Sequence, residues 1–229
     1  LFYLSELKKN KNLLLNKSLK NWRIHIKKLV RNPFLKNPNF ILNKSNFRNH
    51  IYLDKKKINK ILIKENNKKF EEKNFTKSIL KNRMMNELFH ESVPVILQED
   101  DLNSMFNSME NRSPFLDKKL INYVLSVPSK FYIKDGYAKY LLRAATKGTL
   151  HEKVRMDRKK VGFNFSLSSL RDYSNNNIKD YLMQKSDLDS FIDKKNLIKV
   201  LDKKVLDNTE SKLIFSLLNA EIFLKKYNI

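Results

Sequence analysis

Apolar residues recur every three or four positions along much of the chain, a spacing typical of amphipathic helices. The first such stripe consists of Leu15, Leu19, Trp22, Ile26 and Leu29. It predicts one helix that ends before the proline at position 33. We expect the stripe to lie in the core. From there to residue 75 the periodicity is weak and asparagine and lysine abound, which predicts loops with short helices.

Further helices are predicted in the middle of the chain. Leu80, Met84 and Leu88 mark the second helix, and a third one begins near Ser92 and runs through Met105. An aspartate can cap the next helix, which ends before a proline. The cap is Asp117, the proline is Pro128, and the expected buried face consists of Leu120, Ile121, Val124 and Leu125.

Glycines delimit the helix that follows. Gly136 is expected to open a helix from about Ala138, and Gly148 stands where a left-handed C-terminal cap belongs. On this helix Lys139 and Arg143 are four residues apart and are expected to share a face. After a basic loop, about four more helices are predicted. No alternating strand pattern stands out, so the fold is predicted to be mainly α.

Length and composition narrow the class of protein. A chain of 229 residues with 41% hydrophobic content can build a core. It lacks an apolar run of about 18 residues and a signal peptide, so we expect a cytoplasmic protein without a membrane partner. It begins with Leu1 rather than Met, which suggests part of a longer polypeptide. The absence of cysteine excludes disulfides, thiolate metal sites and a cysteine nucleophile from this stretch.

The net charge of +23 suggests nucleic acid at first sight, but its distribution argues otherwise. Of 47 basic residues nine are arginine, which leaves 47 − 9 = 38 lysines, and they are dispersed. Arginine is preferred for contacts to phosphates and bases, whereas lysine on a helix surface is usually solvated. We therefore expect no specific nucleic-acid partner.

Glycine and arginine concentrate in one stretch of the chain. All three glycines fall there, together with four of the nine arginines: Gly136, Gly148, Gly162, Arg112, Arg143, Arg155 and Arg158. Glycine serves backbone positions with positive φ or close approach, and arginine supplies a fixed planar cation. The chemistry is therefore expected between about residues 95 and 165.

Three runs in this stretch carry the candidate residues. They are DLNSMFNSMENRSPFLD at 101–117, KYLLRAATKG at 139–148 and RKKVGFNF at 158–165. Each run alone has an ordinary interpretation: a capped helix end with a structural Arg–Glu pair, a solvated helix face, and a basic turn. Their order and spacing are more specific than any one of them.

Together the runs resemble the C-terminal signature of the glutamine-dependent asparagine synthetase family. That signature has a D-R-x-S-M element, then S-x-E-x-R-x-P-F-L-D, a K-x-x-L-R helix and an R-x-K-x-G-F loop. The corresponding strings here are 101–105, 108–117, 139–143 and 158–163, with Leu102 in place of the first arginine. The resemblance covers residues 79–229. It implies the C-terminal helical half of an α/β adenine-nucleotide α-hydrolase-like (PP-loop ATP pyrophosphatase) synthetase domain, with residues 1–78 continuing from an upstream nucleotide-binding half.

The resemblance also implies a reaction. Such enzymes activate a side-chain carboxylate with ATP and Mg²⁺, release pyrophosphate, and let ammonia from glutamine displace AMP. Lys139 then corresponds to the active-site lysine at the α-phosphate, and Arg158, Lys160 and Arg143 are candidates for ATP or pyrophosphate. Supporting or structural roles are expected for Asp101, Ser104, Glu110, Arg112, Asp117, Gly162 and Phe163.

Other residues of the family pattern are missing from this chain. Neither the S-G-G-x-D-S phosphate loop nor the acidic magnesium-binding segment is present, so ATP and Mg²⁺ are expected to be held mainly by upstream residues, and no metal ligands are expected here. The upstream glutaminase and nucleotide-binding parts are the expected partners, with a homodimer as one option, and the fragment alone should be inert.

Three alternatives stay open. A related enzyme could amidate another acid or close a lactam ring, the chain could be an inactive helical interaction module, or it could bind nucleic acid without specificity.

Overall fold

The computed structural model describes residues 1–30, 33–43, 55–64, 71–159 and 177–227. The chain divides into two compact units, each built from two stretches of sequence. The first unit is Leu1–Phe47 with Glu71–Lys160, and the second is Arg48–Phe70 with Val161–Ile229. The described residues are mostly helical and their one sheet is a two-stranded hairpin, which confirms the mainly α prediction. Among them, no helix has both the length and the hydropathy to cross a membrane.

The described elements are mostly α-helices. Helix α5 and helices α11 to α13 lie in the second unit, and the other helices and the hairpin lie in the first. Their bounds are α1 Phe2–Lys9, α2 Leu14–Asn21, α3 Pro33–Lys36, α4 Asn39–Asn43, α5 Lys55–Ile58, α6 Ile79–His90, α7 Ser92–Phe106, α8 Lys118–Ser126, β1 Ile133–Lys134, β2 Tyr137–Ala138, α9 Tyr140–Ala145, α10 Glu152–Arg155, α11 Asn177–Met183, α12 Lys194–Leu201 and α13 Asn208–Tyr227. Shorter helical turns are Trp22–Ile26 (a π-helix) and Lys27–Leu29, Pro114–Leu116, Ser129–Phe131 and Asp187–Ser190 (3₁₀-helices).

The first apolar stripe forms a helical segment as predicted, but it is not a core stripe. The segment changes from α2 to the π-helix Trp22–Ile26 and then to a 3₁₀ turn. Trp22 is buried, whereas Leu19 is half-buried and Leu29 is exposed. A π-turn closes i→i+5 hydrogen bonds and therefore rotates the residues after it away from the preceding face. The expectation of a continuous buried stripe is wrong: α2 has no buried residue, and the π-turn shifts the face of the residues that follow it.

Helix α6 buries polar side chains where the sequence pattern indicated leucine and methionine. It packs against α1 and α7, and its most buried residues are Asn82, Arg83 and Asn86. The Asn86 amide pairs with the backbone N–H and carbonyl of Lys73 at 2.9 and 2.8 Å. Burial disfavours the charged form of Arg83, but its ion pairs with two glutamates outweigh this effect and raise its pKa. Each buried polar group is thus satisfied, as burial requires.

Helices α7 and α8 have the predicted bounds but little burial. On α7 only Val93, Leu97 and Ser104 are even half-buried. The expected buried face of α8 is exposed at Leu120 and otherwise only half-buried. The described part of the first unit therefore does not cover the apolar faces of these two helices.

The second unit has a compact aliphatic core. The 3₁₀ turn Asp187–Ser190, α11, α12 and α13 account for the helices predicted after the basic loop, and Leu213 and Leu217 of α13 are buried as expected. An antiparallel bridge from Leu62 to Ile192 ties the earlier segment to this unit. The core cluster comprises Ile61, Leu182, Ile192, Leu197, Leu201, Leu206, Leu213, Ile214 and Leu217.

These compact units cut across the predicted division into residues 1–78 and 79–229. That division concerns continuity with an upstream half and stays a prediction.

Candidate functional site

The centre of the candidate site is a tight hairpin rather than the glycine-opened helix that the sequence suggested. Strands β1 and β2 pair in antiparallel register, with Ile133 opposite Ala138. Asp135 and Gly136 connect them with φ angles of 48° and 78°, as a primed two-residue turn requires. Asp-Gly is a favoured sequence for such a turn, and this signal could have predicted the hairpin.

The hairpin turn lies against the π-helix. A Cβ added at Gly136 would stand 2.8 Å from the His25 Cδ2 atom. The Lys17 ammonium pairs with the Asp135 carboxylate at 3.2 Å. Gly136 therefore meets both conditions expected of the glycines, positive φ and close approach, while Gly148, with φ of 85° and open space around it, meets only the first.

Lys139 does not lie on the helix that follows it. It adopts a left-handed conformation, with φ of 57° and ψ of 34°, and precedes α9 as its N-cap. Its carbonyl accepts the Arg143 backbone N–H at 3.1 Å. The expected shared helical face of Lys139 and Arg143 is therefore wrong, because Lys139 lacks helical dihedral angles. Its side chain is exposed and makes no hydrogen bond or ion pair with the described residues.

The guanidinium of Arg143 binds three backbone carbonyls, and we call this arrangement the clamp. Its Nε donates to the Ala138 carbonyl at 2.9 Å, its Nη2 donates to the Asp157 carbonyl at 2.8 Å, and its Nη1 donates to the Arg155 carbonyl. In return, Arg155 donates to the Arg143 carbonyl at 2.7 Å. One guanidinium thus holds the end of β2 to the segment that follows α10.

Arg158 lies on the aromatic ring of the hairpin. Its guanidinium carbon is 3.7 Å from the centroid of the Tyr137 ring, and the Arg143 guanidinium is 5.5 Å from the same ring. An Nη atom of Arg158 donates to the Asp135 carbonyl at 3.4 Å. Its buried Nε has no hydrogen-bond partner among the described residues. The Nε donor of the Arg158 guanidinium is therefore left without an acceptor in the described part of the chain.

Arg155 also forms an ion pair with Glu152. Its guanidinium donates twice to that carboxylate, at 2.9 and 2.8 Å. The hydrogen bonds from Arg155 lower the pKa of Glu152 and keep it ionised. Tyr137 and Arg155 had no assigned role from sequence, although both flank the motif residues; only their tertiary contacts identify them.

The run from Asp101 to Asp117 stands apart from the hairpin. Asp101 is exposed on α7, Ser104 is half-buried there, and Asp117 accepts the Leu120 N–H at 2.9 Å as the N-cap of α8. Arg112 donates to both carboxylate oxygens of Glu110, at 3.1 and 2.9 Å, in an exposed pair. No hydrogen bond or ion pair among the described residues links this run to Lys139 or Arg158.

An exposed apolar surface accompanies this run, and we call it the α7 apolar face. Its members are between 58% and 88% exposed, and they are Leu102, Met105, Phe106, Met109 and Phe115. Several large apolar side chains exposed within one short stretch of chain are typical of an interaction site.

The remaining predicted site residues, Lys160, Gly162 and Phe163, lie outside the described residues. Among the residues that are described, no group of three or more histidine, aspartate or glutamate side chains could hold a metal ion.

The hairpin thus presents an exposed ammonium and an incompletely paired guanidinium, the kind of groups that an anion-binding domain uses. A model of the asparagine synthase family matches residues 8–225, and the chain belongs to that family. The match extends the resemblance seen at residues 79–229 towards the N-terminus.

A curated relative supports this membership. The chain is 33% identical over 119 residues to "Asparagine synthetase [glutamine-hydrolyzing] 1" of Bacillus subtilis (strain 168). The matched stretch covers 51% of this chain and 18% of that protein's length. No solved structure matches the chain.

Proposed function

We propose that the chain is the C-terminal part of an ATP-dependent amide synthetase that makes asparagine from aspartate. In the first step, an oxygen of the aspartate side-chain carboxylate attacks the α-phosphorus of ATP, the bond to the β-phosphate breaks, and pyrophosphate leaves. In the second step, ammonia derived from glutamine attacks the activated carbonyl, AMP leaves, and the nitrogen loses a proton. Membership of the asparagine synthase family and the name of the Bacillus relative support this reaction.

The observation that carries the proposal is Lys139 at the N-terminal end of α9, whose exposed side chain has no ion-pair partner among the described residues. Negative charge accumulates on the phosphorus oxygens in the first step, and catalysis of such transfers is chiefly positioning and electrostatic stabilisation. An ammonium that makes no ion pair with a carboxylate of the described residues is available for this task. Its backbone is held by the hairpin on one side and by α9 on the other, so little reorganisation is needed.

Arg158 is proposed to bind the leaving pyrophosphate. Its guanidinium carbon lies 3.7 Å from the centroid of the Tyr137 ring, and its Nε has no acceptor among the described residues. A phosphate oxygen is a suitable acceptor for such a donor, because hydrogen bonds between ionised partners are the strong ones. Lys160, two residues further on, is proposed to act with it. Arg143, an ATP or pyrophosphate candidate on sequence, is not proposed to bind phosphate, because all three of its guanidinium nitrogens donate to carbonyls.

Magnesium does not fit the described residues, since they contain no cluster of acidic or histidine ligands. We propose that Mg²⁺ and most of the nucleotide are held by the α/β half of the synthetase domain, encoded upstream of this chain. The α7 apolar face supports this, because an apolar surface of that kind is stabilised when another part of the protein covers it. Glu110 and Arg112 are proposed to orient groups at that junction, with Asp101 and Ser104 on the adjoining helix.

The proposal is tested in the complete enzyme by ATP–pyrophosphate exchange, which reports the first step alone. Lys139→Ala should lower the exchange kcat by about 10²–10³, the usual loss for one prepositioned charge donor, with the KM for ATP changed by a few-fold at most. Lys139→Arg should restore little, because a planar fork does not replace a compact ammonium.

Lys147 provides a matched control, as an exposed lysine in the turn after the same helix. Lys147→Ala should leave exchange unchanged. Near-normal exchange in Lys139→Ala would return Lys139 to the role of a solvated surface residue and refute the proposal.

A further inference from the structure

We infer that Arg143 is a positioning residue, which fixes the two proposed phosphate-binding cations, Lys139 and Arg158, by clamping the peptide groups directly before them. The inference rests on the proposed function. It assigns to Arg143 a task other than contact with the nucleotide.

Two of the carbonyls that the clamp binds belong to the peptide groups directly before Lys139 and Arg158. The Ala138 carbonyl belongs to the peptide bond that leads into Lys139, and the Asp157 carbonyl belongs to the one that leads into Arg158. A peptide group is planar, so a hydrogen bond to its carbonyl also restricts the Cα of the next residue. Arg143 therefore constrains both backbone attachments through one rigid guanidinium.

A second set of contacts closes the same cluster from the other side. Arg155 donates to the Arg143 carbonyl at 2.7 Å while its own carbonyl accepts from Arg143. The ring of Tyr137 contacts both the Arg143 and the Arg158 guanidinium groups. These side chains thereby join the hairpin, α9 and the segment after α10.

The geometry leaves Arg143 poorly placed to bind phosphate as well. Three of its five N–H groups, one on each guanidinium nitrogen, already donate to the carbonyls of Ala138, Arg155 and Asp157. Lysine cannot reproduce the arrangement, because its three donors radiate from a single atom and do not form a planar fork. A conservative Arg143→Lys substitution should therefore keep the charge and lose the clamp.

A double-mutant cycle in the complete enzyme tests this inference through ATP–pyrophosphate exchange. The variants are Arg143→Lys, Lys139→Ala and the pair together, with Arg23→Lys as a control because Arg23 is an exposed arginine of the same unit. Arg143→Lys should lower kcat by about 10–10², less than the full loss of a prepositioned donor, with the KM for ATP changed by a few-fold at most. The pair should be less impaired than the product of the two single losses, since in Lys139→Ala only the positioning of Arg158 is left for Arg143→Lys to remove.

Direct binding of phosphate by Arg143 would give a different result in the double-mutant cycle. If Arg143 bound phosphate directly, the two losses would multiply and the KM for ATP would rise in Arg143→Lys. Either outcome overturns the inference.

Amide hydrogen exchange without nucleotide gives a readout that does not depend on activity. Arg143→Lys should accelerate exchange both around the hairpin and around residues 155–159, whereas Lys139→Ala and Arg23→Lys should not. Unchanged protection in Arg143→Lys would overturn the inference. If Arg143→Lys fails to fold, as shown by thermal melting, Arg143→Gln supplies a second variant with the same expectations.

The two failures are distinguishable. An unmodified enzyme without ATP–pyrophosphate exchange would refute the proposed function, while hydrogen exchange would still decide whether the clamp exists.

Discussion

Substitution of Gly136 by alanine should destabilise the first unit much more than the same substitution at Gly148. Both glycines have positive φ, 78° and 85°, so both substitutions place an L side chain in the left-handed region. This backbone cost is about 1–2 kcal/mol. It is common to the two sites, and the difference between them must come from their surroundings.

The surroundings differ in one contact. The new Cβ at position 136 would lie 2.8 Å from the His25 Cδ2 atom, while nothing lies within 4 Å at position 148. Favourable contacts between carbon atoms occur at about 3.5–4.0 Å, so the His25 ring, the hairpin or the π-helix must move. Forced overpacking of this kind costs about 1–3 kcal/mol. Gly136→Ala should thus cost roughly 2–5 kcal/mol in total, against about 1–2 kcal/mol for Gly148→Ala.

Equilibrium unfolding in urea measures the two costs. Trp22 is the only tryptophan of the chain, is buried, and belongs to the π-helix that contains His25. Its fluorescence therefore reports on the unit that carries both glycines. Removing the opposing side chain isolates the steric part: in a His25→Ala background, Gly136→Ala should cost no more than Gly148→Ala.

Two results would refute this reasoning. Equal losses for both glycines in the native background would show that the His25 contact has no energetic weight. An undiminished cost of Gly136→Ala in the His25→Ala background would show that the strain lies elsewhere.

Two further predictions concern charge. Asp207 accepts from the backbone N–H groups of Thr209 and Glu210 at 2.8 and 3.0 Å and pairs with Lys57; burial opposes its charge, but these partners outweigh it and lower its pKa. Because the unfolded state binds the proton more readily, this stabilisation is complete above the ordinary aspartate pKa and is lost as pH falls through the lowered pKa of the folded state. Asp207→Asn keeps the cap but removes the charge, so its free energy of unfolding in urea should fall less between pH 6 and pH 3 than that of the unmodified protein. An identical fall would contradict this prediction. The dispersed lysines predict weak, sequence-independent binding of DNA that salt abolishes. A sequence-selective complex at physiological salt, measured by fluorescence anisotropy, would show this prediction to be wrong.

The helices were predictable from sequence because their signals are local. The start of α7 follows from Ser92 and the proline after it, and the bounds of α8 follow from its apolar spacing, from the Asp117 cap and from the proline that ends it. The positive φ of Gly136 and Gly148 also follows from residue type, since glycine alone reaches that region without cost. The family resemblance belongs to the same category, because it rests on the order of short motifs.

Tertiary structure decided which side chains those helices bury and what the arginines do. The deepest residues of α6 are asparagine and arginine because loop carbonyls and two glutamates happen to face them, which no periodicity reveals. Lys139 left its predicted helix because the Asp-Gly hairpin ends directly before it. Arg143 became a clamp because folding brings the carbonyls of residues 155 and 157 to a guanidinium twelve to fourteen residues earlier in the chain. Such contacts depend on distances across the fold, whereas sequence spacing determines only the conformation along the chain.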